Sequence, residues 1–459
     1  MSDSTKSIFL LLPTGITVRN FLTTGVIDEL ILRNSIKIII FTFSPIDFIQ
    51  YRPENDKIII KKLSKRRIFT LSNILHVILK RRFFKINETA STKILSKGPL
   101  FPKEHNYFIE YLLSQPFPKS RVIYGWLRRI LGFLNGFPSH VKDNFDYYKP
   151  SLVISTHPIA NNETEFLQCA KKLRVNTIGM IKSWDNLTTK GYLPVVTNHF
   201  IVWNEVMQKE MMRMHNIPKS MVTITGVPQF DSYSDCNNMV EKEDFFSNLG
   251  LNLDKKTILY FTSPASIAPE DPEILLKLHE SFLIEKKDNV QIIVRLHPLD
   301  SIQRYEKINK NMEQNLSFQV PGGSLKGDAN FRMQDPMFIN ELRDTLFYSD
   351  VTINTCSSTS LDAVAMDRPV INIAFDLQEK PYLRSCKRYY DFDHFQPILK
   401  TGATKLALSF KELTKLIIRY FENPELENKE REQLRSTMCY QIDGQSSKRI
   451  ADSIMEQLD

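Results

Sequence analysis

The sequence is short of cysteine and has no close pair of cysteines. Its five (Cys169, Cys236, Cys356, Cys386 and Cys439) are scattered, odd in number and never spaced as C-x-x-C. That argues against a disulfide framework or a zinc site and fits a reducing cytoplasm. No apolar run approaches the roughly 18–20 residues that a membrane-spanning helix needs. The apolar start, Ile8 to Leu12, has no basic region or cleavage site and reads as a buried first strand rather than a signal peptide. There is no G-x-x-x-x-G-K-[ST] and no G-x-G-x-x-G, which weighs against NTP hydrolysis and dinucleotide chemistry. Short-period repeats and low-complexity tracts are also absent.

What is present is a chain of 459 residues, too long for one ordinary core, so two domains are expected. With 42% hydrophobic and 24% charged residues it has the make-up of a globular protein. The net charge of +8 is unevenly spread: residues 1–150 carry 24 Lys and Arg against 11 Asp and Glu, and the remainder is mildly acidic. A basic face suits nucleic acid, anionic lipid or an anionic substrate.

The pattern along the chain is strand, helix, strand. Ile8–Pro13 and Ile36–Phe43 read as strands. The segment from Lys61 to Tyr148 is irregular, basic and aromatic. Alternation resumes with SLVIST at Ser151, a helix near Glu163 to Lys172, NTIGMI at Asn176 and HFIVWN at His199. The polar stretch Asp231–Asp244 reads as a linker. ILYFTS at Ile258, VQIIVRLHP at Val290, DVTINT and VINIAF then restart the rhythm, and the tail from about Ser409 reads as helical. The expected class is α/β: two Rossmann-like domains facing a central cleft, with a helical C-terminal tail. The expected boundaries are 1–235, with a basic helical insertion at about 61–148, and 245–459.

Polar clusters fall directly after the expected strands, where binding loops of open α/β sheets lie. STHPIANNETE brings His157, Asn161, Asn162 and Glu163. KSWDNLTTKG brings Lys182, Trp184, Asp185, Asn186, Thr188 and Lys190. GVPQFD brings Gly226, Gln229 and Asp231, and TSPAS brings Ser263. RLHPLD brings Arg295 and His297, which as alternate residues share one face of a strand and together suit a phosphate. Asp350–Asp376 holds Ser357, Ser358, Thr359 and Ser360 where a strand hands over to a helix, with Asp362 just inside, a pattern that suits an anion.

Each cluster also has a plainer reading. A strand-end histidine is commonly a structural hydrogen-bonder. Arg295 suits pairing with a carboxylate, Trp184 the core, Asp185 and Asn186 a turn, and the serines a helix cap.

The other conspicuous block is Lys61–Ile86. Leu71, Ile74, Leu75, Ile78 and Leu79 follow helical spacing, and Lys80, Arg81, Arg82 and Lys85 come after them. Together with Trp126–Phe137 it is a candidate peripheral contact with an anionic membrane, through residues 61–86 and 126–137. The alternative is a helix packed on its own domain with solvated lysines outside.

The paired halves, GVPQFD, RLHP and SSTSLDAVAMDRPVINIAFD resemble a GT-B glycosyltransferase. Within that group the chain is most similar to bacterial surface-polysaccharide transferases and to the CDP-glycerol glycerophosphotransferases of teichoic acid synthesis, best from about Ser151 to Asp376. The resemblance implies a donor-binding C-terminal lobe, with Arg295, His297, Ser263, Ser357, Ser358, Thr359, Ser360 and Asp362 at a nucleotide-activated sugar. It implies an acceptor-binding N-terminal lobe, with Lys182, Trp184, Asn186 and Lys190 at a glycan or lipid-linked acceptor such as a capsule or lipopolysaccharide precursor. A general base is expected at His157, with Glu163 and Asp185 as alternates. It implies no cofactor and no metal, and no D-x-D follows a strand here. No nucleic-acid partner is expected, and the expected location is the cytoplasm or the inner face of its membrane. The glycerophosphotransferases carry His-Gly where this chain has His157-Pro158, which favours a sugar donor over glycerophosphate. A UDP-sugar 2-epimerase shares the architecture, but its glycine- and glutamate-bearing donor turn is replaced here by SSTSLD. A basic membrane- or nucleic-acid-binding module is the non-enzymatic alternative.

Overall fold

The computed structural model describes residues 5–33, 36–45, 48–49, 52–63, 70–97, 120–135, 138–159, 163–235, 238–284, 289–309, 315–321 and 337–458. Asn161, Asn162, Cys236 and parts of the basic insertion (64–69, 98–119 and 136–137) lie outside the described residues.

The chain forms two compact units. Met1–Pro228 and Gln445–Asp459 make the first; Gln229–Ala329 and Gln334–Gly444 make the second.

The first unit holds a seven-stranded parallel sheet. Its strands are β1 (Lys6–Leu12), β2 (Ile36–Thr42), β3 (Ile58–Lys62), β4 (Leu152–Ser155), β5 (Asn176–Met180), β6 (His199–Val202) and β7 (Val222–Ile224), in the order β3-β2-β1-β4-β5-β6-β7. Strand periodicity sorts the core. Ile8, Leu10 and Leu12 join one apolar layer with Ile38, Ile40 and Ile154, while Phe9 and Leu11 join the other with Ile39, Phe41, Val153 and Phe166. Burial on both faces explains why these strands read as continuous apolar runs.

The last helix, Ser446–Met455, belongs to this unit rather than to the second one, where the sequence had placed it. Ile450 and Ile454 enter the same layer as Val26 and Ile27, Arg33 pairs with Asp452, and Lys6 Nζ donates to Leu458 O at 2.7 Å.

The second unit has a six-stranded parallel sheet: β8 (Lys256–Phe261), β9 (Val290–Arg295), β10 (Leu316–Gln319), β11 (Val351–Asn354), β12 (Val370–Ile373) and β13 (Thr404–Ala407), ordered β10-β9-β8-β11-β12-β13. The helices Asp271–His279 and Phe410–Glu422 cover it through Ile274, Leu275 and Leu278 and through Leu413, Ile417 and Tyr420.

The polar stretch read as a linker is fastened to this unit. Phe230 and Tyr233 are buried and stacked at 5.1 Å. Arg343 donates to the carbonyls of Asp235 (3.2 Å) and Asn238 (2.6 Å). Buried donors need acceptors, and these carbonyls supply them.

Both sheets reverse direction of strand addition once, between β1 and β4 and between β8 and β11. In open α/β sheets, ligands bind outside the carboxyl ends of strands at such points.

Candidate functional site

At the first reversal point the ends of β1 and β4 are joined by Thr156 Oγ1, which donates to Leu11 O at 2.7 Å. The loop after β4 carries His157, and the helix Thr164–Lys172 opens behind Glu163. Glu163 is wholly buried. Its Oε2 accepts from Ser155 Oγ and, at 3.4 Å, from the backbone N–H of His157. Its Oε1 has no partner among the described residues. Burial pushes this carboxyl up to about 8, against the pull of Ser155, the His157 N–H and Lys182.

His157 is half-buried, and its Nε2 is buried without a partner among the described residues. Burial, with the nearby positive charges of Lys182 and Lys190, lowers its imidazole to about 3, while Asp185 opposes the shift. The ring is therefore neutral at physiological pH.

The loop after β5 supplies the lysines. Burial and Lys190 lower Lys182 to about 8. Lys80, from the helix Thr70–Asn87, is also lowered by burial and by Lys190. Asp185 organises the turn: Ser183 Oγ donates at 2.6 Å, Asn186 Nδ2 at 2.9 Å and Thr189 Oγ1 at 3.1 Å, and Lys190 Nζ lies 3.6 Å away.

Two expectations are corrected here. Trp184 is 4% exposed and is part of the core rather than an acceptor platform, because its large apolar ring is worth more buried. Asp185, with both oxygens already hydrogen-bonded, serves the turn and is not a free base. Asn186 is buried beside it.

The second reversal point is bridged by Ser263 Oγ, which donates to Thr355 O at 3.3 Å. Ser263 is buried, and its N–H donates to Asp271 Oδ2 at 2.7 Å. Asp271 also accepts from Tyr260 OH at 2.8 Å, and burial pushes it up to about 7. The sequence reading missed this carboxylate. Its one signal was the Asp271-Pro272 pair that starts a helix.

Arg295 requires a further correction. It is 2% exposed; its guanidinium donates to Gln319 (3.1 Å), Glu341 (3.3 Å) and Phe338 O (3.3 Å) and sits 5.0 Å from the Phe338 ring centroid. These partners hold the cation inside the unit. His297 differs. Its Nδ1 accepts from Leu299 N–H at 3.0 Å, which puts the proton of the neutral ring on Nε2 as a donor. Burial lowers this imidazole to about 4, so it stays neutral.

In the serine cluster the roles divide. Ser360 is buried, bonded to Asn354 and, at 3.0 Å, to Asn372, and Asp362 accepts from Tyr233 OH at 2.7 Å. These two hold the fold instead of a ligand. Ser357 Oγ accepts from Thr359 N–H at 3.3 Å. Ser358 is exposed and makes no side-chain cap, and Thr359 Oγ1 is buried without a partner among the described residues. The preceding Cys356 has a φ of +48°, a conformation costly for a side chain, and its N–H donates to Tyr390 OH at 3.0 Å.

Comparison with known proteins adds the family. The family described as CDP-Glycerol:Poly(glycerophosphate) glycerophosphotransferase matches residues 163–456. A teichoic acid poly(ribitol-phosphate) polymerase of Bacillus spizizenii is 23% identical over 288 residues, 58% of this chain and 39% of that protein. The chain thus matches well under half the length of this curated relative. Among solved structures, the UDP-GlcNAc 2-epimerase of Neisseria meningitidis bound to UDP-GlcNAc aligns with a TM-score of 0.55 at 13% identity, over 98% of this chain and all of the other. A glycosyltransferase of Rickettsia africae aligns at 0.52 with 10% identity, over 98% of this chain and 99% of the other. These two likenesses establish the fold, a pair of parallel-sheet Rossmann-like domains.

Proposed function

We propose, since the chain belongs to the CDP-Glycerol:Poly(glycerophosphate) glycerophosphotransferase family, that it is a transferase moving an activated group from a nucleotide donor onto a cell-surface polymer. The observation that carries the reading is the neutral His157, whose Nε2 has no partner among the described residues, backed by buried Glu163 and set in the field of Lys182 and Lys190. In the Nδ1-protonated tautomer Nε2 keeps its lone pair, and this neutral imidazole can take the proton of an acceptor hydroxyl that reaches it. Burial is the larger cause of its lowered basicity; an anionic acceptor would neutralise Lys182 and Lys190 and so relieve the smaller, electrostatic part of the shift.

In the glycerophosphate form of the reaction, the acceptor oxygen attacks the phosphorus bearing the glycerol. The P–O–P bridge breaks and CMP leaves with the electron pair. In the second unit, His297 Nε2–H and the Ser358 and Thr359 hydroxyls are suited to the donor's phosphate oxygens. Arg295 is set aside because its guanidinium is already engaged. The His157-Pro158 pair in place of His-Gly supports a second reading, in which a sugar is transferred and a nucleoside diphosphate leaves. The helix Thr70–Asn87 packs Ile78, Leu79, Arg82, Phe83 and Phe84 inside its own unit, which corrects the expected membrane contact through residues 61–86 and leaves 126–137 as the proposed one; no helix among the described residues is long and apolar enough to cross a membrane.

The test supplies CDP-glycerol or a UDP-sugar with a teichoic-acid-type primer and measures the nucleotide released. CMP release that depends on the primer supports the first reading, and primer-dependent UDP release the second. Conversion of a UDP-sugar without primer would instead mean an epimerase and overturn both.

A further inference from the structure

Between the basic insertion and the segment Met214–Met221 lies a cavity that none of this chemistry uses. It lies in the first unit and has a volume of about 370 Å³, within the usual range for ligand pockets. Phe83, Ile86, Met214, Ile217 and Met221 supply apolar walls. One face of the helix Arg121–Asn135 supplies Arg121, Tyr124, Gly125 and Arg128, at positions i, i+3, i+4 and i+7.

Neither Arg121 nor Arg128 has a carboxylate partner among the described residues. The other ionisable groups on the wall are uncharged at neutral pH. Burial lowers His215 to about 4, and its Nε2 lies 3.1 Å from Leu187 O; burial raises the Tyr124 hydroxyl above its ordinary range. The cavity therefore joins an apolar body to two guanidinium forks without a carboxylate partner among the described residues, the geometry that suits phosphate oxygens.

A second observation concerns the same helix. Val122, Trp126 and Ile130, one turn apart, are 76%, 65% and 38% exposed. An exposed apolar row alongside an apolar, cationic cavity is suited to meeting hydrocarbon.

We propose that this cavity binds a hydrocarbon chain bearing a phosphate head, with the phosphate on Arg121 and Arg128 and the chain between Phe83, Ile86 and Met221. The proposal stands apart from the transfer reaction and does not require it.

The whole chain is titrated by calorimetry with dodecyl phosphate kept below its micelle concentration, and with dodecyl maltoside and inorganic phosphate. Dodecyl phosphate should bind about tenfold or more tighter than either control. Two variants locate the site. Arg121→Gln with Arg128→Gln removes both forks. Gly125→Leu fills the cavity: a Cβ at Gly125 meets nothing within 4 Å, and leucine is the better helix former, so the fold is retained. Each should weaken dodecyl phosphate about tenfold or more. Equal binding of dodecyl maltoside, equal binding of inorganic phosphate, or unchanged binding in Gly125→Leu would each overturn the proposal. If the double arginine variant fails to fold, Gly125→Leu decides alone.

Discussion

Glu163 Oε2 lies 3.4 Å from the backbone N–H of His157, so a fully buried carboxyl braces the loop that carries the candidate base. Its folded pKa of about 8 exceeds the unfolded value near 4.3. The folded state therefore holds a proton that the unfolded chain releases. The stability this contributes is complete below the unfolded pKa and is lost as pH rises through the folded one. Asp271, raised to about 7 by burial, and Lys182, lowered to about 8, titrate at the two ends of the range from pH 7 to 8, so the contribution of Glu163 is read as the difference between the wild type and Glu163→Gln. Denaturant melts over that range should show falling stability, by at most about 1.4 kcal/mol per pH unit. Glu163→Gln should flatten the slope.

For His157 the prediction concerns rate. His157→Ala should lower kcat/KM by about 10²–10⁴-fold, with the melting temperature little changed because Nε2 bonds to no described residue. The free enzyme's imidazole is lowered to about 3, so the kcat/KM profile should carry no acid limb near 6.5. A limb at 6.5 that disappears in His157→Ala would show that the ring is exposed and ordinary, against the geometry.

Arg295 should behave as a structural residue. Arg295→Met removes hydrogen bonds to Gln319, Glu341 and Phe338 O and should cost about 1–3 kcal/mol in equilibrium unfolding. Donor KM, measured on the folded fraction, should stay within about twofold, well short of the loss of a charged contact. Glu341 is half exposed, so Glu341→Gln should cost less.

These corrections mark where the sequence stopped being legible. Buried strands such as Ile36–Thr42 and Val290–Arg295 announce themselves because both faces are apolar. The strands that escaped are at sheet edges: Ile58–Lys62 ends in exposed lysines, Leu316–Gln319 is half-buried throughout, and Thr404–Ala407 is half-buried in its middle. An edge strand shields less apolar surface, so its pattern is weak. The candidate site divides similarly. Strand-end position picked out His157, His297 and Thr359. It could not separate Arg295, whose partner Glu341 lies 46 residues on, from a ligand-binding cation. Nor could it single out Asp271, whose importance comes from burial.

Gly179, on β5, tests the packing next to the lysine loop. A Cβ there would lie 2.9 Å from Cε1 and 3.0 Å from Cδ1 of Phe200, a fully buried ring, and 3.0 Å from Thr197 Oγ1. A ring held in a close-packed interior has little room to retreat. Gly179→Ala should destabilise the protein by about 1–3 kcal/mol in a urea melt.

Thr359 separates ligand binding from folding most cleanly. Its Oγ1 is buried and has no partner among the described residues, so its desolvation is uncompensated in the free protein. Thr359→Val keeps the shape and removes that polar atom, so the melting temperature should hold or rise. If the hydroxyl is there to meet a phosphate oxygen of the donor, the same change should weaken donor binding by about tenfold, the worth of one hydrogen bond to a charged group. Exposed Ser358, at the helix entrance, should give a smaller loss as Ser358→Ala. Calorimetric titration with the donor, read beside the melting curves, distinguishes the cases. Unchanged affinity in both Thr359→Val and Ser358→Ala would remove the turn from the donor site and leave His297 as the remaining candidate proposed in that unit.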